Sequence, residues 1–184
     1  MSVFESFKGA IWLAKINRRD QEAFSKCYDF YAPKIHRHAF YRLGSKELAE
    51  DVTSEVFTKT WEFLTESANN KIKNLRAFLY RVANNLIIDH YRAKGRQPIL
   101  INEAMERNLG DGGSGAERLG SRLELAAVLE NLEKLSRETR EILIWRYVDD
   151  LSINEVAELA GRTKNAIYVA IHRGLKELRK TIKS

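Results

Sequence analysis

The fold of the C-terminal part of the chain is decided by residues 151–178, which read LSINEVAELAGRTKNAIYVAIHRGLKEL. Ser152 followed three residues later by Glu155 forms a capping box, in which each side chain satisfies a free backbone N–H of the first helical turn. Gly161 can adopt the left-handed conformation that ends a helix and permits a sharp turn. Thr163 then offers an N-cap for a longer basic helix. This order is the helix-turn-helix pattern, which favours DNA binding over the alternative of a plain helical hairpin.

The second helix of this pattern, predicted for residues 164–181, has two distinct faces. At 100° per residue, a buried stripe collects Ile167, Ile171, Gly174, Leu175 and Leu178. On the opposite face, Val169 either contacts a thymine methyl group or is an ordinary surface aliphatic side chain. His172 is either a DNA contact or a solvated imidazole. The residues predicted to bind duplex DNA are Thr163, Lys164, Asn165, Tyr168, Val169, His172, Arg173 and Lys176.

The positive charge of the chain is concentrated in two stretches. The whole chain carries a formal net charge of +6, and residues 161–184 alone carry +6. Residues 76–96 carry +4, whereas the preceding segment, residues 45–66, carries −4. Two basic stretches that lie apart in the sequence suggest a polyanion contacted at two places, although solvated charged surfaces would give the same count.

Helical periodicity extends along nearly the whole chain, with one interruption. Residues 95–120 contain a proline and six of the ten glycines, so they can neither form a stable helix throughout nor build a core. We therefore predict an all-α protein with two small helical domains, residues 1–96 and 121–184, joined by a flexible linker, residues 97–120. The Gly-Ser run in this linker also resembles an artificial one. The expected helices lie at residues 3–16, 20–43, 46–66, 75–94, 121–134, 137–149, 152–160 and 164–181.

The composition disfavours several classes of protein. The single cysteine, Cys27, excludes an internal disulfide and fits a reducing compartment. No apolar run is long enough to span a membrane, so we expect a cytoplasmic protein without membrane insertion. His36 and His38 lie two residues apart and on different sides of a helix, so no metal site is predicted. Because the sequence contains no nucleophile–base set and no phosphate-binding glycine loop, we expect neither catalysis nor a cofactor.

Four segments of the chain together resemble bacterial RNA polymerase sigma factors of the extracytoplasmic-function group. Residues 132–180 are similar to the fourth conserved region of that family, with IHRG where LHRA is common. Three further segments are similar to parts of the second conserved region of that family. They are residues 20–44, DQEAFSKCYDFYAPKIHRHAFYRLG; residues 49–64, AEDVTSEVFTKTWEFL; and residues 74–96, NLRAFLYRVANNLIIDHYRAKGR. The resemblance implies a non-enzymatic protein that binds the clamp and flap regions of core RNA polymerase and directs it to promoter DNA.

The helix that docks on the polymerase clamp in this family maps onto residues 51–62, which read DVTSEVFTKTWE. The spacing of Asp51, Ser54 and Glu55 places all three along one side of a helix. Trp61 is either a contact or part of the core. The resemblance therefore implies a polymerase-binding set of Asp51, Ser54, Glu55, Phe57, Lys59 and Trp61.

The family captures the melted minus-10 strand with the loop after this helix and with the start of the next helix. Asparagine amides can bond the base edges of a splayed strand, and lysine and arginine side chains can hold its phosphates. Tyr80 either stacks a base or packs, while Leu79, Val82, Ala83 and Leu86 are expected to face the core. The residues implied to bind this strand are Asn69, Asn70, Lys71, Lys73, Asn74, Arg76, Tyr80, Arg81, Asn84 and Asn85.

The predicted minus-35 helix departs from the family at two places. Tyr168, Val169 and Ala170 stand where a basic residue, serine and arginine are often found, so the family's sequence preference does not transfer to this chain. Lys164 and Asn165 make the helix start more basic, which favours a phosphate contact at the helix N-terminus.

Two other classes of function stay open at this point. An autonomous helix-turn-helix regulator would bind duplex DNA without polymerase, but it needs neither the acidic segment, residues 45–66, nor the polar loop after it. A protein-interaction module, such as an inhibitor of transcription, is disfavoured by the two basic stretches. An anti-sigma factor is a common partner in the sigma factor family, which makes one a candidate partner here.

Overall fold

The computed structural model describes residues 3–93, 132 and 135–182, with side chains described for residues 10–93, 132 and 135–180. The chain divides into two compact units, residues 1–98 and 99–184. Every regular element among the described residues is helical, which confirms the predicted all-α class. The predicted linker, residues 97–120, lies outside the described residues, as does all but Leu132 of the helix predicted for residues 121–134.

Four helices form the first unit: α1 (Val3–Ile16), α2 (Gln21–Leu43), α3 (Lys46–Glu66) and α4 (Leu75–Ala93). Their bounds agree closely with the predicted ones, because polar caps mark the helix starts. Asp20 begins α2 by accepting a 2.8 Å hydrogen bond from the N–H of Ala23. Ser45 begins α3 by accepting a 3.2 Å bond from the N–H of Leu48. Between these helices Gly44, with φ of 65°, takes the left-handed conformation that ends α2.

A buried polar cluster joins α2 to α4. His38 and Arg42 of α2 are both buried, and Arg42 Nη1 lies 2.8 Å from Nδ1 of His38. The Tyr91 hydroxyl of α4 donates a hydrogen bond to the backbone carbonyl of Arg42. The Tyr80 ring packs edge-on against the His38 ring, with 4.9 Å between their centroids. The core of the first unit is therefore partly polar along the side where α2 and α4 meet.

This cluster explains why the inward face of α4 differs from the predicted one. Leu79 and Ala83 are buried as predicted, but Val82 and Leu86 are only half-buried. The buried stripe follows the polar cluster instead, since aromatic and cationic side chains find partners there that the pattern of aliphatic residues does not reveal. It comprises Leu75, Arg76, Ala77, Leu79, Tyr80, Ala83, Ile87 and Tyr91.

The described part of the second unit contains α5 (Arg137–Leu143), a π-helical segment (Ile144–Val148), α6 (Ile153–Ala160) and α7 (Lys164–Ile182). The single helix predicted for residues 137–149 is therefore wrong in its last part. There the backbone widens, and Asp149 N–H donates to the Ile144 carbonyl at 3.0 Å, five residues back. Leu151, which is fully buried, follows and donates from its N–H to the Trp145 carbonyl at 2.9 Å. The wider turn thus ends the helix and directs the chain toward α6.

Helix α7 packs very closely on α5 at Gly174. A Cβ atom at this position would lie 2.6 Å from Cγ2 of Thr139 and 3.0 Å from Cδ1 of Leu143. Gly174 is buried, as the predicted stripe of α7 requires. The close approach gives a physical reason for a glycine at this position of α7.

Candidate interaction surfaces

The helix-turn-helix has the local geometry that the sequence predicts. Ser152 Oγ accepts a 3.3 Å bond from the N–H of Glu155, whose carboxylate accepts a 2.7 Å bond from the N–H of Ser152. Gly161 has φ of 63° and donates its N–H to the carbonyl of Ala157. Thr163 Oγ1 caps α7 by accepting a 3.3 Å bond from Ala166 N–H. The capping box and the glycine turn together set the direction in which α7 leaves α6.

Arg162 links this turn to α5. Its guanidinium forms an ion pair with Glu138 of α5, and Nη2 lies 2.8 Å from Oε2 of that carboxylate. Sequence reasoning counted Arg162 only as part of the basic C-terminal charge. In the structure Arg162 is paired with Glu138 inside the second unit. The positive charge available on the outer surface is therefore smaller than the net charge of residues 161–184 suggests.

The outward face of α7 is open to solvent. Tyr168 and Val169 are 59% and 48% exposed, which is high for apolar side chains of this size. Ile167 and Ile171 are buried on the opposite side as predicted, whereas Leu175 and Leu178 of the predicted buried stripe are only half-buried. All residues predicted to bind duplex DNA are exposed: Thr163, Lys164, Asn165, Tyr168, Val169, His172, Arg173 and Lys176.

The predicted polymerase-binding face of α3 is partly exposed and partly buried. Asp51, Ser54 and Glu55 are exposed on one side of the helix, and Glu55 Oε1 lies 3.3 Å from Nζ of the exposed Lys59. Phe57 is only 3% exposed, so the part of its ring open to a partner is limited to the wall of the groove between α2 and α3. The acidic surface is therefore carried by the turn from Asp51 to Glu55.

An open groove with a volume of about 590 Å³ runs beside this face, between α2 and α3. Aromatic rings form much of its lining: the centroids of Phe24 and Trp61 lie 4.8 Å apart, and those of Tyr28 and Phe57 lie 4.7 Å apart. Phe57 and Trp61 thus belong to one aromatic surface that includes α2. Sequence reasoning missed Phe24 and Tyr28, although two aromatics four residues apart on one helix are a recognisable signal.

The segment between α3 and α4, residues 67–74, is called the α3–α4 loop below. Asn69, Lys71 and Lys73 are exposed in it. Asn70 donates from Nδ2 to the carbonyl of Phe63 at 2.7 Å, and Asn74 accepts a bond from Ala77 N–H at 3.1 Å, which caps α4. Two of the three asparagines predicted to read bases therefore hold the protein backbone in this structure, and Asn69 is the exposed one.

The first turns of α4 correct two further predictions. Tyr80 is fully buried and Arg76 is 7% exposed, with its guanidinium carbon 5.9 Å from the centroid of the Tyr80 ring. Neither side chain lies where a DNA strand can reach it, because the polar cluster with α2 takes both inward. Arg81 and Asn85 are exposed, and Asn84 is half-buried.

Neither a membrane span nor a metal site occurs in the described part of the chain. Within residues 3–93 and 135–182, no helix combines the length and apolar character needed to cross a membrane. The same residues contain no group of three or more His, Cys, Asp or Glu side chains able to hold a metal ion. The candidate interaction surfaces in the described residues are those of α3, the α3–α4 loop and α7.

Two family matches cover both units of the chain. Residues 27–97 match the Sigma-70 region 2 family, and residues 125–178 match the Sigma-70 region 4 family. The first match contains α3, the α3–α4 loop and α4, and the second contains α6, the glycine turn and α7 as far as Leu178. The exposed faces of α3, the α3–α4 loop and α7 therefore lie inside matched regions, whereas Phe24 of the groove lies just before the first one.

Individual proteins agree with these matches. The ECF RNA polymerase sigma factor BldN of Streptomyces coelicolor is 28% identical over 160 residues, which are 86% of this chain and 60% of BldN. The ECF RNA polymerase sigma factor SigD of Mycobacterium tuberculosis is 32% identical over 169 residues, 89% of this chain and 78% of SigD. The chain thus spans less than two thirds of BldN but most of SigD.

A solved structure shares the fold. The structure of CnrH in complex with the cytosolic domain of CnrY aligns with a TM-score of 0.63 and 22% sequence identity, over 96% of this chain and 97% of that one. The helix-turn-helix geometry, the two matched regions and the 32% identity to SigD all lead to one assignment. The chain belongs to the ECF RNA polymerase sigma factors, the family that directs RNA polymerase to promoters.

Proposed function

We propose that the two units divide the work of promoter recognition between them. In this proposal the first unit, residues 1–96, binds core RNA polymerase through α3 and captures the melted minus-10 strand through the α3–α4 loop. The second unit, residues 121–184, reads the minus-35 duplex by placing α7 in the major groove. Residues 97–120 connect the two contacts along the promoter.

The observation that carries the minus-35 role is the open outward face of α7. An α-helix fits the major groove of B-DNA, where side chains near the helix start reach base edges. Asn165, Val169 and His172 occupy that position, and Lys164 lies at the helix N-terminus, where a phosphate is favoured. An exposed valine between polar residues suits a thymine methyl group.

The acidic turn of α3 and the aromatic groove support the polymerase role. Asp51 and Glu55 present negative charge to solvent, which favours a basic partner surface. The groove beside them offers an apolar pocket lined by Phe24 and Trp61. Charge at the rim with an aromatic anchor at the centre is a common composition for a protein-binding surface.

The minus-10 role is proposed for a smaller set of residues than the sequence predicted. Asn69, Lys71 and Lys73 in the loop, with Arg81 and Asn85 on α4, are the exposed members. Lysine and arginine side chains suit the strand's phosphates, while the asparagine amides suit its base edges.

One experiment tests the overall proposal against an autonomous DNA-binding regulator. The purified protein is mixed with core RNA polymerase and assayed for transcription from fragments upstream of its own gene. A sigma factor forms a complex with the polymerase and starts transcription at defined sites. Tight duplex binding by the protein alone, with neither a polymerase complex nor initiation, would reject the proposal.

We also propose that the protein acts in the cytoplasm, and that it acts by binding rather than by catalysis.

An anti-sigma factor is proposed to regulate the protein. The resemblance to the family supports such a partner, as does a fold shared with CnrH, which was solved in complex with the cytosolic domain of CnrY. The test is competition. A protein that is encoded beside this gene and binds the chain should block assembly with core polymerase.

A further inference from the structure

The α3–α4 loop is anchored to the short turn that follows α1. Asn17 Nδ2 donates to the carbonyl of Ile72 at 2.9 Å, and Asn17 Oδ1 accepts from the Ile72 N–H at 2.8 Å. Arg19 Nη2 donates to the carbonyl of Ser67 at 2.8 Å. Both anchors come from a part of the chain to which neither the sequence nor the family resemblance gave a role.

These anchors alternate with the exposed residues of the loop. Ile72 is 3% exposed and lies between the exposed Lys71 and Lys73, so fixing its backbone fixes the direction in which both lysines leave the loop. The Ser67 carbonyl, which Arg19 holds, also accepts the N–H of Asn70 at 3.0 Å, one residue beyond the exposed Asn69. The anchors therefore act on the segment that presents all three side chains.

A loop held in this way binds a flexible strand at a lower entropic cost. Ordering a free loop costs conformational entropy, and this cost would otherwise be subtracted from the binding energy. We infer that Asn17 and Arg19 are positioning residues that hold the α3–α4 loop in the shape that captures melted promoter DNA. The inference rests on the strand-binding role proposed for this loop.

The backbone of Arg19 makes a sharp test available. Its φ of 64° lies in the left-handed region, which glycine adopts without strain and arginine adopts at a cost. Arg19→Gly therefore removes the guanidinium while it relaxes the backbone, so this variant should fold as well as the wild type. Arg19→Lys keeps the positive charge and a hydrogen-bond donor on a slightly shorter side chain. Arg18→Ala is the matched control, because Arg18 is exposed and the variant removes the same charge one residue away.

The probe is a short single-stranded DNA with randomised central positions, from which holoenzyme containing the wild-type protein selects its preferred sequence. Affinity for the selected strand is then measured with holoenzyme containing each variant. We expect Arg19→Gly and Asn17→Ala each to weaken strand binding about tenfold, because Arg19→Gly removes one charge-assisted hydrogen bond and Asn17→Ala removes two neutral ones. Arg19→Lys should recover most of the loss, Arg18→Ala should bind like wild type, and affinity for core polymerase should change by less than about twofold.

The variants Asn69→Ala and Lys71→Ala separate this inference from the function on which it rests. If they weaken strand binding while Arg19→Gly and Asn17→Ala do not, the positioning role is overturned and the loop assignment stands. If they also bind normally, the strand-binding role of the loop fails and the inference fails with it. An equal loss for Arg18→Ala and Arg19→Gly would mean that charge alone is responsible, which also overturns the positioning role.

Discussion

Tyr80 and Val169 show how the surroundings of a single side chain decide its role. Both belong to predicted DNA-binding sets. Tyr80 is fully buried against His38, whereas Val169 is 48% exposed on the outward face of α7. A buried ring cannot stack on a base, so Tyr80 contributes to packing of the first unit, and Val169 is the more informative residue for DNA recognition.

Val169→Arg should change which minus-35 sequences the protein uses. Arginine prefers guanine O6 and N7, whereas valine offers only an apolar contact, and a good base contact discriminates by about 1–3 kcal/mol. The measurement is selection of minus-35 sequences from a randomised promoter library by holoenzyme. Val148→Arg is the matched control, because it places the same charge on another exposed valine of the second unit, outside α7. An unchanged preference in Val169→Arg would make this valine a surface residue only.

Cys27 gives a second prediction at this scale. Cys27 lies on α2 and its side chain is fully buried, and this burial raises the pKa of the thiol to about 12. At neutral pH the thiol is therefore protonated and shielded, although the thiolate is the reactive form. Iodoacetamide should label the native protein at least about tenfold more slowly than the urea-unfolded protein, as read by mass spectrometry. Equal labelling rates would contradict the buried position.

At the scale of elements, the junction between α5 and α7 sets where α7 lies within the second unit. Gly174 allows the two helices to approach until a Cβ atom would collide with Thr139. The π-helical segment after α5 and the Arg162–Glu138 ion pair hold the neighbouring turns. The direction of α7 thus depends on contacts with α5 as well as on the turn itself.

Gly174→Ala should destabilise this junction. Alanine gains about 1 kcal/mol in helix propensity over glycine, but overpacking typically costs about 1–3 kcal/mol, so we expect a net loss near 1 kcal/mol. Thr139→Ser removes the Cγ2 atom that meets the new Cβ and keeps the hydroxyl that bonds Ser136. The double variant should therefore recover stability, as measured by hydrogen exchange of α7 amides. Equal protection in Gly174→Ala and wild type would show that the helices adjust at no cost.

At the scale of the whole molecule, the proposed polymerase-binding and minus-35 surfaces belong to separate units. The acidic turn of α3 lies in the first unit, and the basic outward face of α7 lies in the second. A change on one surface should therefore leave the function of the other intact.

Glu55→Lys should weaken binding to core polymerase and leave minus-35 duplex binding by the full chain unchanged. The substitution reverses the charge of the acidic turn and breaks the 3.3 Å ion pair with Lys59. Glu22→Lys is the control, because it breaks a similar exposed pair with Lys26 on α2. Affinity for fluorescently labelled core polymerase is the measurement. Equal affinity for Glu55→Lys and wild type would count against the α3 surface.

The sequence by itself determined most of the described helices, their caps, the glycine turn and the two faces of α7. These features depend on neighbours within a few residues, such as Ser152 with Glu155 and Gly161 at a helix end. Only the tertiary structure decided which side of α4 is buried, because the His38 ring of α2 packs against Tyr80 and the Arg42 carbonyl of α2 accepts a hydrogen bond from Tyr91. It also decided that Asn17 and Arg19 hold the α3–α4 loop, since about fifty residues separate each hydrogen-bonded pair and no local pattern records such a contact.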